Sequence, residues 1–149
     1  MSQVKKSIEV ESDVTTVYNQ WTQFEEFPQF MEGVQSVEQI DDAHLAWTAQ
    51  IGPSTREWEA EITEQVPDQL IEWRALGDVR HDGHVRFESL DGGRTRVTLR
   101  LDFEPESFAE KAVDALHIVD KRVEGDLERF KAFIEERQIA TGSYRQEIH

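Results

Sequence analysis

Six residues near the middle of the chain alternate strictly between acidic and apolar side chains, and they read Glu57-Trp58-Glu59-Ala60-Glu61-Ile62. Successive side chains of a β-strand point to opposite faces, so Trp58, Ala60 and Ile62 would share one face. One apolar face and one charged face are typical of an antiparallel sheet that is wet on one side. This stretch therefore predicts a strand with one buried face.

The same alternation recurs on both sides of this strand, from Val34 to Phe103. Residues that favour turns separate the alternating segments, namely Asp41-Asp42, Gly52-Pro53-Ser54, Pro67-Asp68, His81-Asp82-Gly83 and Asp91-Gly92-Gly93. A further short strand is expected from Lys5 to Val10, where Ile8 and Val10 share a face. The pattern predicts about seven antiparallel strands, joined mostly as a meander.

Two short helical segments are expected between the first strand and the rest of the sheet. In the first segment Ser12 and Asp13 offer an N-cap, and apolar residues follow at helical spacing, namely Val14, Val17, Tyr18 and Trp21. In the second, Phe24, Phe27 and Phe30 lie three residues apart. Because Pro28 disfavours helical geometry at the residue before it, we expect two helical pieces rather than one long helix.

A long helix is expected after Pro105, where Ser107 and Glu110 form a capping box. One apolar stripe at helical spacing then follows, made of Phe108, Ala112, Ala115, Leu116, Val119, Val123, Leu127, Phe130, Phe133 and Ile134. Gly125 interrupts this helix at a cost of about 1 kcal/mol relative to alanine. We expect it to mark a bend or a close approach to the sheet.

A sheet and a long helix that each carry one apolar face must bury those faces against each other. The order strand, two short helices, six strands, long helix therefore predicts an α+β fold, in which a curved antiparallel sheet wraps round the C-terminal helix. No linker, repeat or low-complexity tract interrupts the 149 residues, so we expect one domain spanning 1–149. Such a sheet leaves space at one end, which the short helices can cap.

This pattern resembles the START-like helix-grip superfamily, also called SRPBCC or Bet v 1-like. The similarity rests on three stretches: Val17 to Val34 with its run Phe27-Pro28-Gln29-Phe30-Met31, Glu57 to Ile62, and Gly125 to Lys131. More narrowly, the chain is similar to bacterial polyketide cyclase/dehydrase or coenzyme-Q-binding START-like proteins. The resemblance implies a scaffold that carries lipids, sterols, quinones or polyketide-like molecules and sometimes catalyses cyclisation or dehydration. No catalytic motif of such enzymes is matched, so no catalytic residue is transferred.

The composition excludes several classes of function. The chain has 16 lysines and arginines and 31 aspartates and glutamates, which give a net charge of −15. This negative charge argues against nucleic acid and anionic membranes as partners. The absence of cysteine excludes thiol catalysis and disulfides. No apolar stretch is long enough for a signal peptide or a membrane helix. We expect a cytoplasmic protein that acidic repulsion keeps monomeric.

The apolar face of the sheet is the natural lining of a cavity, with the long helix opposite and the second helical piece as a lid. We predict that a small hydrophobic molecule is bound there, by Tyr18, Phe27, Phe30, Met31, Trp47, Trp58, Trp73, Phe87, Leu99, Leu116, Val119 and Val123. For any single aromatic residue in this set, a place in the plain core is the stronger interpretation.

The ionisable residues point away from catalysis. By strand parity, Glu57, Glu59, Glu61 and Glu72 face outward and pair across strands with Arg74, Arg86 and Arg100. Tyr18 is expected to donate one hydrogen bond at the cavity edge, and His117 is interpreted as a surface residue. His81-Asp82-Gly83-His84 is interpreted as an ordinary turn rather than a metal site. No motif implies a cofactor.

Three functions remain open. The first is a module that binds a small hydrophobic ligand, and the second is an aromatase/cyclase or dehydrase acting on a polyketide-like substrate. The enzyme would need an ionisable side chain inside the cavity, for which Tyr18 and His117 are the candidates. The third is an interaction module with a filled cavity and an exposed apolar patch.

Overall fold

In the computed structural model, residues 2–51, 54–77, 81–103 and 112–148 are described. They form seven strands, two α-helices and one 3₁₀ helix. In chain order these are β1 (Ser2–Val10), α1 (Val14–Trp21), the 3₁₀ helix (Phe24–Gln29), β2 (Val34–Asp41), β3 (His44–Ile51), β4 (Ser54–Val66), β5 (Leu70–Leu76), β6 (His81–Leu90), β7 (Arg94–Phe103) and α2 (Ala112–Arg137).

The seven strands form one antiparallel sheet in the order β1-β7-β6-β5-β4-β3-β2. From β2 to β7 each strand pairs with the next one in the chain, and β1 pairs with β7. The register places Trp47 opposite Trp58 and Ile62 opposite Trp73. The predicted seven-stranded meander is therefore confirmed, with the tryptophans of three neighbouring strands on the same face.

The helical predictions for residues 14–30 are also confirmed. Asp13 caps α1, since its carboxylate accepts a hydrogen bond from the Thr16 N–H at 3.2 Å. A separate 3₁₀ helix follows and contains Pro28. The chain therefore breaks between two short helical pieces, as the proline predicts.

Helix α2 packs its apolar stripe against the inner face of the sheet. The buried side chains along it are Val119, Val123, Leu127, Phe130 and Ile134. The predicted capping box at Ser107 and Glu110, together with Phe108, lies outside the described residues. At Gly125 the nearest neighbour of an added Cβ would be the Arg129 guanidinium at 3.0 Å, so the close approach there is to the helix's own side chain rather than to the sheet.

One end of the space between sheet and helix is filled by aromatic side chains. Trp21 packs against Phe130 with ring centroids 5.2 Å apart, and Phe30 lies 5.1 Å from the same ring. Tyr18 meets Phe87 edge to face at 5.4 Å. All five are 5 % exposed or less, so this end is solid core.

The chain after α2 runs back over α1. The Gln20 amide exchanges two hydrogen bonds with Thr141, and Ile148 pairs with Gln65 at the edge of β4. Arg145 forms an ion pair with Asp68 at 2.8 Å. The C-terminal segment thus covers the aromatic end of the molecule.

One predicted turn is wrong. His81-Asp82-Gly83 was expected to connect two strands, but these residues begin β6. Gly83 lies opposite Trp73, and a Cβ at this glycine would stand 2.1 Å from the indole ring. The glycine is thus required by a close approach of a side chain and not by a turn.

The architecture is the expected α+β helix-grip fold, a curved antiparallel sheet wrapped round a C-terminal helix. No helix among the described residues is long and apolar enough to cross a membrane.

The contact between Gly83 and Trp73 predicts a large effect of a single methyl group. Gly83→Ala should lower the free energy of unfolding by about 1–3 kcal/mol, because the added methyl group would overlap the buried indole and displace it from its stack on Trp47. Urea denaturation measures this loss. Gly125→Ala is the matched control, since its Cβ would meet only the flexible end of Arg129, and we expect a change below about 1 kcal/mol. Equal effects at both glycines would contradict this account of Gly83.

Candidate functional site

A cavity lies between the sheet and α2, next to the aromatic core. Its volume is about 70 Å³, or about 680 Å³ when the space between side chains and the opening to solvent is included. It is lined by Met31, Glu32, Gly33, Val34, Trp47, Ala49, Trp58, Trp73, His81, Leu99, Leu101, Phe103, Val119, Arg122, Val123 and Asp126. Most of these side chains are apolar, as in most small-molecule sites.

Three indole rings form one wall of the cavity. Trp47 is nearly parallel to Trp58, with an angle of 4° and a centroid distance of 5.9 Å, and it lies 6.1 Å from Trp73 at 24°. The rings stack because their residues occupy inward positions on the neighbouring strands β3, β4 and β5. Gly83 on β6 gives the last ring its space. The result is a broad, flat aromatic surface.

The wall also carries polar N–H groups. The Nε1 atoms of Trp47 and Trp73 are buried, and neither has a hydrogen-bond partner among the described residues. A buried donor without an acceptor is unfavourable. A ligand that brings an oxygen acceptor into the cavity would remove this cost.

The imidazole of His81 packs against the same wall, tilted by 47° to Trp58 and by 49° to Trp47. Its ring centroid lies 5.0 Å from that of Trp58 and 5.8 Å from that of Trp47. Burial lowers the pKa of this imidazole to about 4, so His81 is neutral at pH 7. A neutral imidazole can donate or accept a proton or a hydrogen bond.

The rim of the cavity carries the charged groups. The Asp126 carboxylate accepts hydrogen bonds from the Glu32 N–H at 2.9 Å and from Arg129 at 2.5 Å. Burial nevertheless raises the pKa of Asp126 to about 6. Arg122, one helical turn earlier, donates to the Gln50 carbonyl. Gly33 leaves room for it, since a Cβ there would lie 2.2 Å from the guanidinium.

Twelve residues were predicted to bind the ligand, and seven of them line this cavity: Met31, Trp47, Trp58, Trp73, Leu99, Val119 and Val123. Four others do not line the cavity and belong to the aromatic core round Trp21, namely Tyr18, Phe27, Phe30 and Phe87. Of these, Phe27 borders the cavity wall, with its ring centroid 5.7 Å from that of Trp47. The side chains of Leu116 and His117 lie outside the described part of the structure.

Tyr18 lies away from this cavity. Burial raises the pKa of its phenol, and its hydroxyl faces Gln65 without reaching hydrogen-bond geometry with any described residue. The Arg145 guanidinium lies 5.4 Å from the centre of its ring. The expected hydrogen bond at a cavity edge is therefore not formed, because the C-terminal segment and α1 enclose the residue.

Three residues of chemical interest were missed from the sequence: His81, Arg122 and Asp126. His81 was missed because Asp82-Gly83 was interpreted as a turn. Arg122 and Asp126 lie beside Val119 and Val123 at helical spacing, so they border the apolar stripe. Two charged residues at the edge of the apolar stripe of a helix were the feature of the sequence that could have indicated a polar cavity rim.

The outer face of the sheet matches the predicted parity. Arg74 pairs with Glu61 at 3.4 Å, as expected, whereas Glu72 pairs with His84 at 3.0 Å instead of an arginine. His84 points outward and His81 inward, so the two histidines cannot share a ligand. Within the described residues no group of three or more His, Cys, Asp or Glu is placed to hold a metal.

Comparison with known proteins agrees with this architecture. Residues 10–132 match the family described as polyketide cyclase/dehydrase and lipid transport. An uncharacterised 17.2 kDa protein of Streptomyces lincolnensis is 49 % identical over 146 residues, which are 97 % of each chain.

Solved structures show the same fold. A protein of Deinococcus radiodurans superposes with a TM-score of 0.73 at 28 % identity, covering 91 % of this chain and 99 % of its own. The Zhui aromatase/cyclase of a Streptomyces species superposes with a TM-score of 0.75 at 17 % identity, covering 96 % of this chain and 99 % of its own. A START superfamily protein of Mycobacterium smegmatis superposes with a TM-score of 0.68 at 17 % identity, covering 91 % of this chain and 95 % of its own.

A curved sheet that grips one helix above an apolar cavity is the fold that this chain shares with the START superfamily protein of Mycobacterium smegmatis. More narrowly, the chain belongs to the polyketide cyclase/dehydrase and lipid transport family.

The indole wall is expected to contribute strongly to stability. Trp58 is 6 % exposed and stacked on Trp47, so Trp58→Ala should lower the free energy of unfolding by about 3–5 kcal/mol in urea denaturation. Trp58→Phe keeps a ring on the wall and should cost less. A loss below about 1 kcal/mol for the alanine variant would show that Trp58 is not packed on this wall.

Asp126 should make stability depend on pH. Between pH 4 and 6 Asp126 is protonated in the folded protein and ionised in the unfolded chain. The free energy of unfolding therefore falls as pH rises through this range. Asp126→Asn removes this term. The difference in the free energy of unfolding between variant and parent should therefore rise by up to about 3 kcal/mol from pH 4 to pH 7, in favour of the variant. Each pKa unit corresponds to about 1.4 kcal/mol.

Urea denaturation of variant and parent at several pH values measures this difference. His81 acts with the opposite sign below its ordinary pKa, and subtraction of the parent curve removes its contribution. Glu124→Gln removes a carboxylate from an exposed position of the same helix and is the control. The same pH dependence in both variants would refute the burial effect.

Proposed function

We propose that this protein binds or carries a small hydrophobic molecule in the cavity between the sheet and α2, with residues 1–149 acting as one ligand-binding domain. The wall of three stacked indoles in a largely apolar cavity is the observation that supports this best. Indole rings offer a large, rigid contact area, and their flat faces favour flat partners. Lipids, quinones and polyketide-like molecules are the candidate classes.

The size of the cavity restricts the ligand. One water needs about 10–15 Å³ of the enclosed volume, so the 70 Å³ present matches about five waters. Their volume in the liquid, about 150 Å³, is that of a molecule with one or two rings. A longer ligand would extend through the opening of the cavity into solvent. Since the Nε1 atoms of Trp47 and Trp73 are buried without partners, a ligand oxygen that reaches either atom would gain a hydrogen bond.

The family supports the same function. Its description includes both lipid transport and cyclase or dehydrase chemistry, and one structural neighbour is an aromatase/cyclase. Both activities need a hydrophobic molecule in a cavity between sheet and helix. Binding is therefore the part of the function that the two have in common.

Native mass spectrometry of protein purified from its own host tests the proposal, followed by extraction and identification of any retained molecule. We expect a retained hydrophobic compound, and a rise in Tm with members of a lipid and quinone panel, because a ligand that binds only the folded state stabilises it. Protein that is repeatedly empty and shows no shift with any panel member would overturn the proposal.

A variant that fills the cavity localises the binding. Ala49 is 5 % exposed and lines the cavity, so Ala49→Phe should place a ring in the ligand's space and abolish the Tm shift. Phe87→Leu is the matched control in the aromatic core, where it should lower stability without changing ligand affinity. Equal loss of binding in both variants would place the ligand elsewhere.

A second candidate function is catalysis of cyclisation or dehydration on a polyketide-like substrate. The observation in its favour is that His81, Arg122 and Asp126 line the cavity, which provides the ionisable groups that an enzyme requires. The shifted pKa values of His81 and Asp126 are typical of proton-transfer residues but also of structural ion pairs. Turnover of a poly-β-ketone substrate that is lost in both His81→Gln and Asp126→Asn would establish this function, and its absence in the parent protein would exclude it.

The third candidate, an interaction module with a filled cavity, has less support. A cavity is present, and the large hydrophobic residues that are exposed in the described part of the chain are Ile40 and Ile139. Their sequence positions place them on different elements, β2 and the segment after α2. A cytoplasmic location and a monomeric state stay predictions from the sequence, and size-exclusion chromatography with light scattering tests the second.

A further inference from the structure

Two arginines near the cavity rim differ in their partners. Arg129 is neutralised by Asp126 at 2.5 Å and by Glu32 at 3.6 Å, and it also donates to the Phe30 carbonyl. Arg122 donates to the Gln50 carbonyl, and no described carboxylate forms an ion pair with it. Arg122 lines the cavity, whereas Arg129 does not. One guanidinium at the rim therefore forms no ion pair within the described residues, although its charge attracts the nearby Asp126 carboxylate.

This guanidinium is unusual in its surroundings. The chain has a net charge of −15, and Arg122 is the lone lysine or arginine among the described lining residues. His81 adds no positive charge at neutral pH, because burial keeps its imidazole neutral. A guanidinium matches a carboxylate in shape and forms two parallel hydrogen bonds with it.

Asp126 is the nearest competitor for the charge of Arg122. It lies one turn away on α2 but is already bonded to Arg129 and to the Glu32 N–H. The charged groups that face Asp126 are Arg122 and Arg129 from its own helix and Glu32 from the segment before β2, while β3 contributes the uncharged Gln50 carbonyl next to Arg122. A second anion at the rim would repel the Asp126 carboxylate and favour its protonated form.

We propose that the ligand is an amphipathic organic acid, whose apolar part contacts the indole wall and whose carboxylate pairs with Arg122, and that its binding is coupled to proton uptake by Asp126. This inference rests on the proposed ligand-binding function and names the chemical class of its ligand. It also sets the direction of the pH effect. Affinity rises as pH falls from 8 to 5.5, because the competing carboxylate is neutralised over that range while a ligand carboxylate with a pKa of about 4 stays ionised.

Two probes of equal size test this coupling: 2-naphthoic acid and its neutral analogue 2-naphthylmethanol. Isothermal titration calorimetry of the full chain gives the dissociation constant of each from pH 5.5 to 8. We expect the acid to bind about tenfold more tightly at pH 5.5 than at pH 8, as a shift of one pKa unit on Asp126 produces. The alcohol should bind with the same affinity throughout. Titrations of the parent protein in buffers of different ionisation enthalpy should show proton uptake with the acid alone.

Variants assign the effect to residues. Arg122→Gln should remove the preference for the acid over the alcohol. Asp126→Asn should bind the acid at pH 8 as tightly as the parent does at pH 5.5, without pH dependence. Lys121→Gln is the matched control, since it removes one positive charge from an exposed position of the same helix, and it should behave as the parent.

The outcomes separate the two proposals. If the acid and the alcohol bind alike at every pH, or if Lys121→Gln weakens acid binding as much as Arg122→Gln does, the organic-acid inference is wrong and the hydrophobic-ligand function stands. If only the alcohol binds, the inference is wrong as well. If neither probe binds and the lipid and quinone panel is also negative, both proposals fail. Proton uptake by the parent protein needs no variant, so it tests the coupling even where a variant does not fold.

Discussion

A single helix has to cover the apolar face of a seven-stranded sheet, and the rest of the structure depends on this constraint. Neighbouring strands lie about 4.8 Å apart and a helix is about 10 Å wide, so a flat sheet would leave most of its inner face in water. The sheet therefore curves round α2. Aromatic residues of α1 and the 3₁₀ helix fill one end of the enclosed space, where Trp21, Phe30 and Phe130 meet. At the other end the tryptophans of β3, β4 and β5 face the cavity.

The side chains that hold the cavity rim together are also those that give it chemical character. Arg129 ties the Phe30 carbonyl to α2, and Arg122 ties the Gln50 carbonyl to the same helix. Asp126 holds the Glu32 N–H between them. Stability and ligand chemistry therefore share one set of charges. A change in the protonation of Asp126 would therefore alter both.

Alternation of side chains was sufficient to predict most of the fold, because each strand has one face in water and one in the core. It placed Trp47, Trp58 and Trp73 on the inner face, where the structure has them. It could not separate cavity from core: Phe87 obeys the same parity and lies among closely packed rings. Alternation also missed His81, because the Asp82-Gly83 pair after it is compatible with a turn as well as with a strand. The strand is favoured by the space that the Trp73 ring needs opposite Gly83, which only the tertiary structure shows.

By itself the sequence determined the α+β class, the number and order of the elements, and an apolar inner face rich in tryptophan, since each is a local matter of period and turn chemistry. The tertiary structure alone decided which inner residues line a cavity and which charges meet at its rim. Arg122, Asp126 and Glu32 come together because α2 crosses the segment before β2. Such a meeting depends on how distant parts of the chain pack, which no local periodicity encodes.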